Sequence, residues 1–204
     1  MKKIDSIIFD IDGTLVDVSK SYREAIRKTA SDFLKRMVSK QEVDAIKSQP
    51  GLNNDWDATY SLVSMVSNHP SYQIVKKRFQ RYYLGGLIDR EKLIANIELL
   101  SKLKEKYQLG IVTGRPRAEA LLVLNKLQII SFFDPNTIIC MEDTTRGKPN
   151  PAPLLLCQTR LGSNNNVYIG DSINDRMAAQ FAKLPFYLVS NVRNVNQIIK
   201  FLLK

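Results

Sequence analysis

The chain has 204 residues, 44% of them apolar and 25% charged, a mix that suits a globular protein and excludes a disordered one. No apolar run approaches the ~20 residues needed to span a bilayer, which argues against a membrane partner. A formal net charge of +10 raises nucleic acid as a partner, but the cations are scattered, as at Arg27-Lys28, Lys35-Arg36 and Lys76 to Arg78, with no basic stripe interleaved with aromatics. A solvated basic surface that attracts small anions is the better reading. The start of the chain reads as no signal peptide, which predicts a cytoplasmic protein. Cys140 and Cys157 fit that compartment as reduced thiols, with a bridge between them left open.

In chain order, residues 6–11 form a short β-branched run closed by Gly13, which predicts a buried strand. Tyr22, Ile26, Thr29, Phe33 and Met37 recur at helical spacing, with Ser19 or Ser21 as N-cap. Residues 48–58 read as a loop by their Pro, Gly and Asn content, entering a helix near Asp55. A further helix over 71–84 is stopped by Gly85-Gly86, and another starts at Glu91 with Leu93, Ile97, Leu100 and Leu103 on its apolar face. Strands at 109–114, 136–141, 166–171 and 185–190 then alternate with helices at 116–129, 151–162, 173–184 and 195–204, Pro116 standing in the first turn of its helix. Such alternation predicts an α/β fold, a doubly wound parallel sheet covered on both faces. The long helical stretch after the first strand far exceeds the dozen or so residues a crossover needs, so it reads as an inserted α-helical domain over 18–87, with the core at 1–17 and 88–204.

Ligands of open α/β sheets bind beyond the carboxyl ends of the strands. Polar groups gather at four such ends: Asp10 and Asp12, then Thr113-Gly114-Arg115, then Lys148, then Asp171 and Asp175. The segments that carry them, "DIDGTLVD", "VTGR", "GKPNP" and "GDSIND", resemble in order and rough spacing the four motifs of the haloacid dehalogenase superfamily. The helical insert is similar to the cap of its phosphoglycolate-phosphatase-like branch. That resemblance implies a Rossmann-like core and a Mg2+-dependent phosphatase working through an aspartyl-phosphate. The helix after Asp175 lacks the Ala-Gly ending usual in that family, which bears on how the helix stops rather than on the site.

The residue types suit that chemistry. A carboxylate at Asp10 can form the covalent intermediate. Asp12, two residues on along an extended backbone, returns to the same face and suits a general acid and then a general base. Thr113 offers a hydroxyl, and the Gly114 turn backbone N–H groups, to phosphate oxygens. Lys148 balances charge on Asp10 and the phosphoryl group. Asp171 and Asp175, at i and i+4, share one side of a helical turn and offer oxygen ligands to Mg2+, to which the resemblance adds Asp10 and the Asp12 backbone carbonyl.

Each residue has an ordinary alternative. Asp12-Gly13 makes a turn, and Asp171 to Asp175 makes a helix cap with a first-turn carboxylate. Arg115 is a candidate for a second phosphate or a substrate carboxylate. Asn54 and Trp56, with Asn53 and Asp55, either face substrate or start a helix whose Trp packs inside the inserted domain. Asp17 stands open between a hinge and a substrate contact, and His69 reads as a loop residue without a partner. The favoured substrate is a small phosphorylated metabolite. Phosphotransfer to another acceptor, as in a phosphotransferase or phosphomutase, and a non-catalytic binding protein on the same scaffold are the alternatives; oligomeric state is not legible.

Overall fold

The structure, a computed structural model, describes residues 3–52, 54–66, 68–191 and 194–204, which fall into two compact units, 1–17 with 92–204 and 18–91. Among the described residues no helix is long and apolar enough to cross a membrane. In the core unit β1 (Ser6–Phe9) is followed by the two-residue β2 (Val16–Asp17). The helical unit then contributes α1 (Tyr22–Leu34), α2 (Lys40–Lys47), α3 (Asp55–Val63) and α4 (Tyr72–Tyr82).

The core resumes with β3 (Lys92–Leu93), α5 (Ile97–Lys106), β4 (Gln108–Val112), α6 (Arg117–Lys126) and β5 (Ile138–Ile139). It closes with α7 (Ala152–Leu161), β6 (Asn166–Gly170), α8 (Ile173–Phe181), β7 (Phe186–Leu188) and α9 (Asn194–Leu202). The main sheet is parallel throughout, in the order β5-β4-β1-β6-β7. All four residues of β1 are buried, as a central strand covered on both faces requires. Ile8, Val112, Ile139 and Tyr168 pack with Leu154, Cys157, Leu161, Ala178 and Ala179, which seats α7 and α8 on the sheet. Successive strands step outward from β1 on one side through β4 and β5, then on the other through β6 and β7. That reversal is a topological switch point, where such sheets place ligands. Cys140 and Cys157 are free and buried.

Several sequence expectations change. The helix expected from Glu91 begins at Ile97, because Asn96 caps it by accepting from Leu99 N–H (3.0 Å) and Leu93 pairs antiparallel with Val16 in a two-stranded ribbon. Pro116 is the N-cap of α6 rather than a member of its first turn. The strand expected over 136–141 shortens to Ile138–Ile139, flanked by single 3-10 turns.

The helical unit packs around a stack of Tyr22, Phe79 and Tyr83, with Tyr22 and Tyr83 ring centroids 4.2 Å apart. Ser21 takes the N-cap position of α1, but its hydroxyl donates to Glu91 Oε1 (2.8 Å) instead of capping. His69 is not without a partner: it packs edge-on against Tyr60. Asn54 caps α3 by accepting from Trp56 N–H (2.8 Å), and the Trp56 side chain is buried with Lys76 Nζ 3.7 Å from its ring centroid. Asn53 lies outside the described residues.

Candidate active site

The end of β1 is pinned to β6 by Asp10 N–H donating to Ile169 O (2.9 Å), so the Asp10 side chain leaves the sheet at the switch point. The chain then turns tightly: Ile11 O accepts from the N–H groups of both Leu15 and Val16 (2.9 Å each). Gly13 permits the turn. Its φ is +74°, and a Cβ there would stand 2.0 Å from Asp171 Oδ2. The close approach of the first and fourth polar strand ends therefore depends on a residue with no side chain.

Two ionic clamps organise the rim. In the first, Lys148 Nζ donates to Asp10 Oδ1 (2.7 Å), Asp175 Oδ1 (2.5 Å) and the Tyr168 hydroxyl (2.9 Å), with Val112 O at 3.3 Å. Tyr168 O–H in turn donates to Asp175 Oδ1 (2.5 Å). Asp175 Oδ2 accepts from Ser172 N–H and Ser172 O–H (3.0 and 2.5 Å). Each Asp175 oxygen thus has two protein donors, which fills the four acceptor positions of a carboxylate. Ser172 and Asp175 also form the capping box of α8, so the ordinary reading of Asp175 holds alongside any functional one.

In the second clamp, Arg115 Nε and NH2 both donate to Asp12 Oδ1 (2.9 and 2.5 Å). Arg115 N–H donates to Thr113 Oγ1 (3.1 Å), which leaves the Thr113 hydroxyl hydrogen available to an acceptor. Gly114 lies between them, half-buried, in the turn that leads into α6.

Burial sets the electrostatics. Asp10, Lys148 and Asp175 are all buried. Burial pushes the Asp10 carboxyl well above the usual carboxylate range, and although Lys148 opposes this, Asp175, Asp12 and Asp171 add to it. Burial also works against the charge on Lys148, but Asp10 and Asp175 outweigh it and hold the ammonium protonated. For Asp175 burial is outweighed by Lys148, with Ser172 and Tyr168 assisting, so its carboxyl is held below the usual range. Asp10, Asp171 and Asp175 each offer an oxygen within 4.8 Å of the others.

Of the eight residues picked out in the sequence, Asp10, Asp12, Thr113, Gly114, Arg115, Lys148 and Asp171 therefore lie at carboxyl ends of core strands or in the loops that follow them, and Asp175 lies in the first turn of α8. Asn54 and Trp56 belong to the helical unit, where both have structural work. Arg115, a candidate for substrate recognition, has its side chain only 1% exposed and turned onto Asp12. Sequence reading missed Tyr168, whose only signal is a hydroxyl in an apolar strand, where burial obliges it to find a partner.

A model of the family described as haloacid dehalogenase-like hydrolase matches residues 7–189. The chain is 32% identical over 192 residues to an imidazoleglycerol-phosphate dehydratase of Phytophthora nicotianae, matching over 88% of this chain but spanning only 42% of that protein. It is 26% identical over 190 residues to a phosphoglycolate phosphatase of Photorhabdus laumondii, over 91% of this chain and 80% of that one. Among solved structures it resembles phosphatase Tt82 of Thermococcus thioreducens in fold, with a TM-score of 0.74 at 24% identity, over 97% of this chain and 98% of that one.

Proposed function

Because the chain belongs to the haloacid dehalogenase-like hydrolases, we propose that it is a Mg2+-dependent phosphatase that hydrolyses a small phosphate monoester through an aspartyl-phosphate on Asp10. Lys148 holds Asp10 Oδ1, and Oδ2 has no protein donor among the described residues, so Oδ2 is the oxygen that attacks phosphorus. As the new O–P bond forms, the bond to the leaving oxygen breaks and Asp12 gives that oxygen a proton. Asp12 then takes a proton from the water that attacks the aspartyl-phosphate, phosphate leaves, and Asp10 is restored. The Thr113 hydroxyl and the Gly114 N–H steady the phosphoryl oxygens through both steps.

The donor set fits a hard divalent cation. Asp10, Asp171 and Asp175 set against one ammonium leave two negative charges to be balanced, and the groups left open to a cation there are oxygens. Asp10, Asp171 and the main-chain carbonyl of Asp12 would hold Mg2+, whose charge would offset that of the nucleophile and the phosphoryl oxygens. Asp175, with its acceptor positions filled, would hold Lys148 instead. The unit over 18–91, inserted after the first strand, is proposed as the cap, and the two free buried cysteines fit a reducing cytoplasm.

The observation that supports this reading most is the buried Lys148 ammonium set between Asp10 and Asp175. The test is phosphate release from a panel of monoesters, with 2-phosphoglycolate first because of the Photorhabdus relative's name, in Mg2+ and in EDTA. Asp10→Asn is expected to lose at least ~10³-fold in turnover while keeping its fold, the scale of a missing nucleophile. Full metal-dependent turnover by that variant would sink the nucleophile assignment.

A further inference from the structure

Two guanidinium contacts of Arg115 fall on one oxygen of Asp12. A fork-to-fork ion pair places one N–H on each carboxylate oxygen. Here Nε and NH2 both meet Oδ1, and Oδ2 has no protein donor among the described residues. The two side chains also differ in access, with 1% of Arg115 and 27% of Asp12 exposed. Arg115 is rooted at both ends of its own backbone: its N–H is held by Thr113 Oγ1 (3.1 Å), and its carbonyl accepts from Met141 N–H (3.0 Å). A pinned, buried cation therefore grips one oxygen of a more open carboxyl.

We propose that Arg115 is a positioning residue that fixes the rotamer of Asp12 through Oδ1, so that Oδ2 alone exchanges the proton with the leaving oxygen and then with water. The inference rests on the phosphatase reading above. The grip works in both halves of that cycle, because Oδ1 accepts hydrogen bonds whether Oδ2 carries a proton or not. When Oδ2–H gives its proton to the departing oxygen, the phosphorus–oxygen bond to that group breaks as the bond to Asp10 forms. When water attacks, its proton returns to Oδ2 and the Asp10–phosphorus bond breaks. A carboxyl free to rotate would spend much of its time aimed elsewhere, and small misplacements of a reacting group are costly.

The test compares two esters on the same Mg2+-loaded enzyme sample. 4-Nitrophenyl phosphate loses a stable phenolate and needs no acid to release it, whereas 2-glycerol phosphate loses an alkoxide that does. For Arg115→Met, kcat/KM is expected to fall about 10²-fold further on glycerol phosphate than on nitrophenyl phosphate, the low end of what a general acid contributes. Arg115→Lys, which keeps a charge but loses the planar fork, should fall between that variant and wild type. The ratio between esters does not depend on how much of a sample is folded, so partial unfolding leaves it readable. In an Asp12→Asn background the Arg115→Met change should add no further discrimination, as expected when one residue acts through the other.

Equal losses on both esters would make Arg115 merely structural and overturn the proposal while leaving the phosphatase reading intact. A larger loss on 2-phosphoglycolate than on glycerol phosphate would make Arg115 a substrate ligand and overturn it as well. Absence of metal-dependent release from either ester by wild type would overturn the phosphatase reading, and this one with it.

Discussion

In the core unit, Lys148, Asp10 and Asp175 pair at 1 to 6% side-chain exposure, whereas Arg23–Asp44, Arg36–Glu42 and Arg78–Asp32 of the helical unit pair at 32 to 62%. The two arrangements have different energetics. Taking a charge out of water costs several kcal/mol, and a buried pair recovers this only through close geometry and further hydrogen bonds. The core meets that condition by surrounding Asp175 with Lys148, Tyr168 and Ser172. An exposed pair costs little to form and contributes little. Buried charge therefore marks where the fold accepts an energetic risk, and exposed charge marks ordinary surface.

The contrast breaks first at Lys148. Lys148→Met leaves Asp10 and Asp175 buried beside each other without a counter-charge and should destabilise the protein by about 3–5 kcal/mol, with phosphate release lost. Thermal unfolding and a phosphate assay read both effects. A melt close to wild type would mean that water or a cation already compensates the carboxylates, and the clamp would lose its structural meaning.

Arg78→Ala is the counterpart in the helical unit. Its guanidinium pairs with Asp32, which also accepts from the Tyr82 hydroxyl (2.8 Å), so Asp32 keeps a partner when Arg78 is removed. The expected loss is below ~1 kcal/mol and shrinks in high salt. A loss comparable to that of Lys148→Met would erase the distinction between the units.

The smallest effect is a pH dependence at the start of α2. The Arg36 guanidinium, followed by the Ser39 backbone and hydroxyl, holds the Glu42 carboxyl down at about 2. A carboxyl lowered in the folded state stabilises it above the unfolded value and loses that contribution as pH falls toward the folded one. In urea melts between pH 6 and 2.5, wild type should exceed Glu42→Gln at the upper end, and the gap should close through the acid range. A gap that widens on acidification would reverse the assigned sign.

Much of the core was legible because its strands are buried on both faces and read as unbroken apolar runs, while its helices repeat at three and four residues. Helix α2 was legible too, but overlooked: Ser39 and Glu42 spell a capping box, and the structure forms it. The start of α5 was not legible. Leu93 continues the helical spacing of Ile97 and Leu100, and what removes it from the helix is pairing with Val16, far back in the chain. Trp56 stood between a substrate face and the interior of the helical unit, and the structure buries it beneath Lys76.

The sequence by itself determined the fold class and which polar residues stand at strand ends, since both depend on local spacing and on the rule that parallel strands direct their carboxyl ends to one rim. Only the tertiary structure decided how those residues pair. That Arg115 turns to Asp12, 103 residues away, rather than outward, and that Tyr168 joins Lys148 and Asp175, follow from β1, β4 and β6 lying side by side. The physical reason is that a buried polar group must find a partner wherever the fold brings one, and sequence spacing does not record distances between strands.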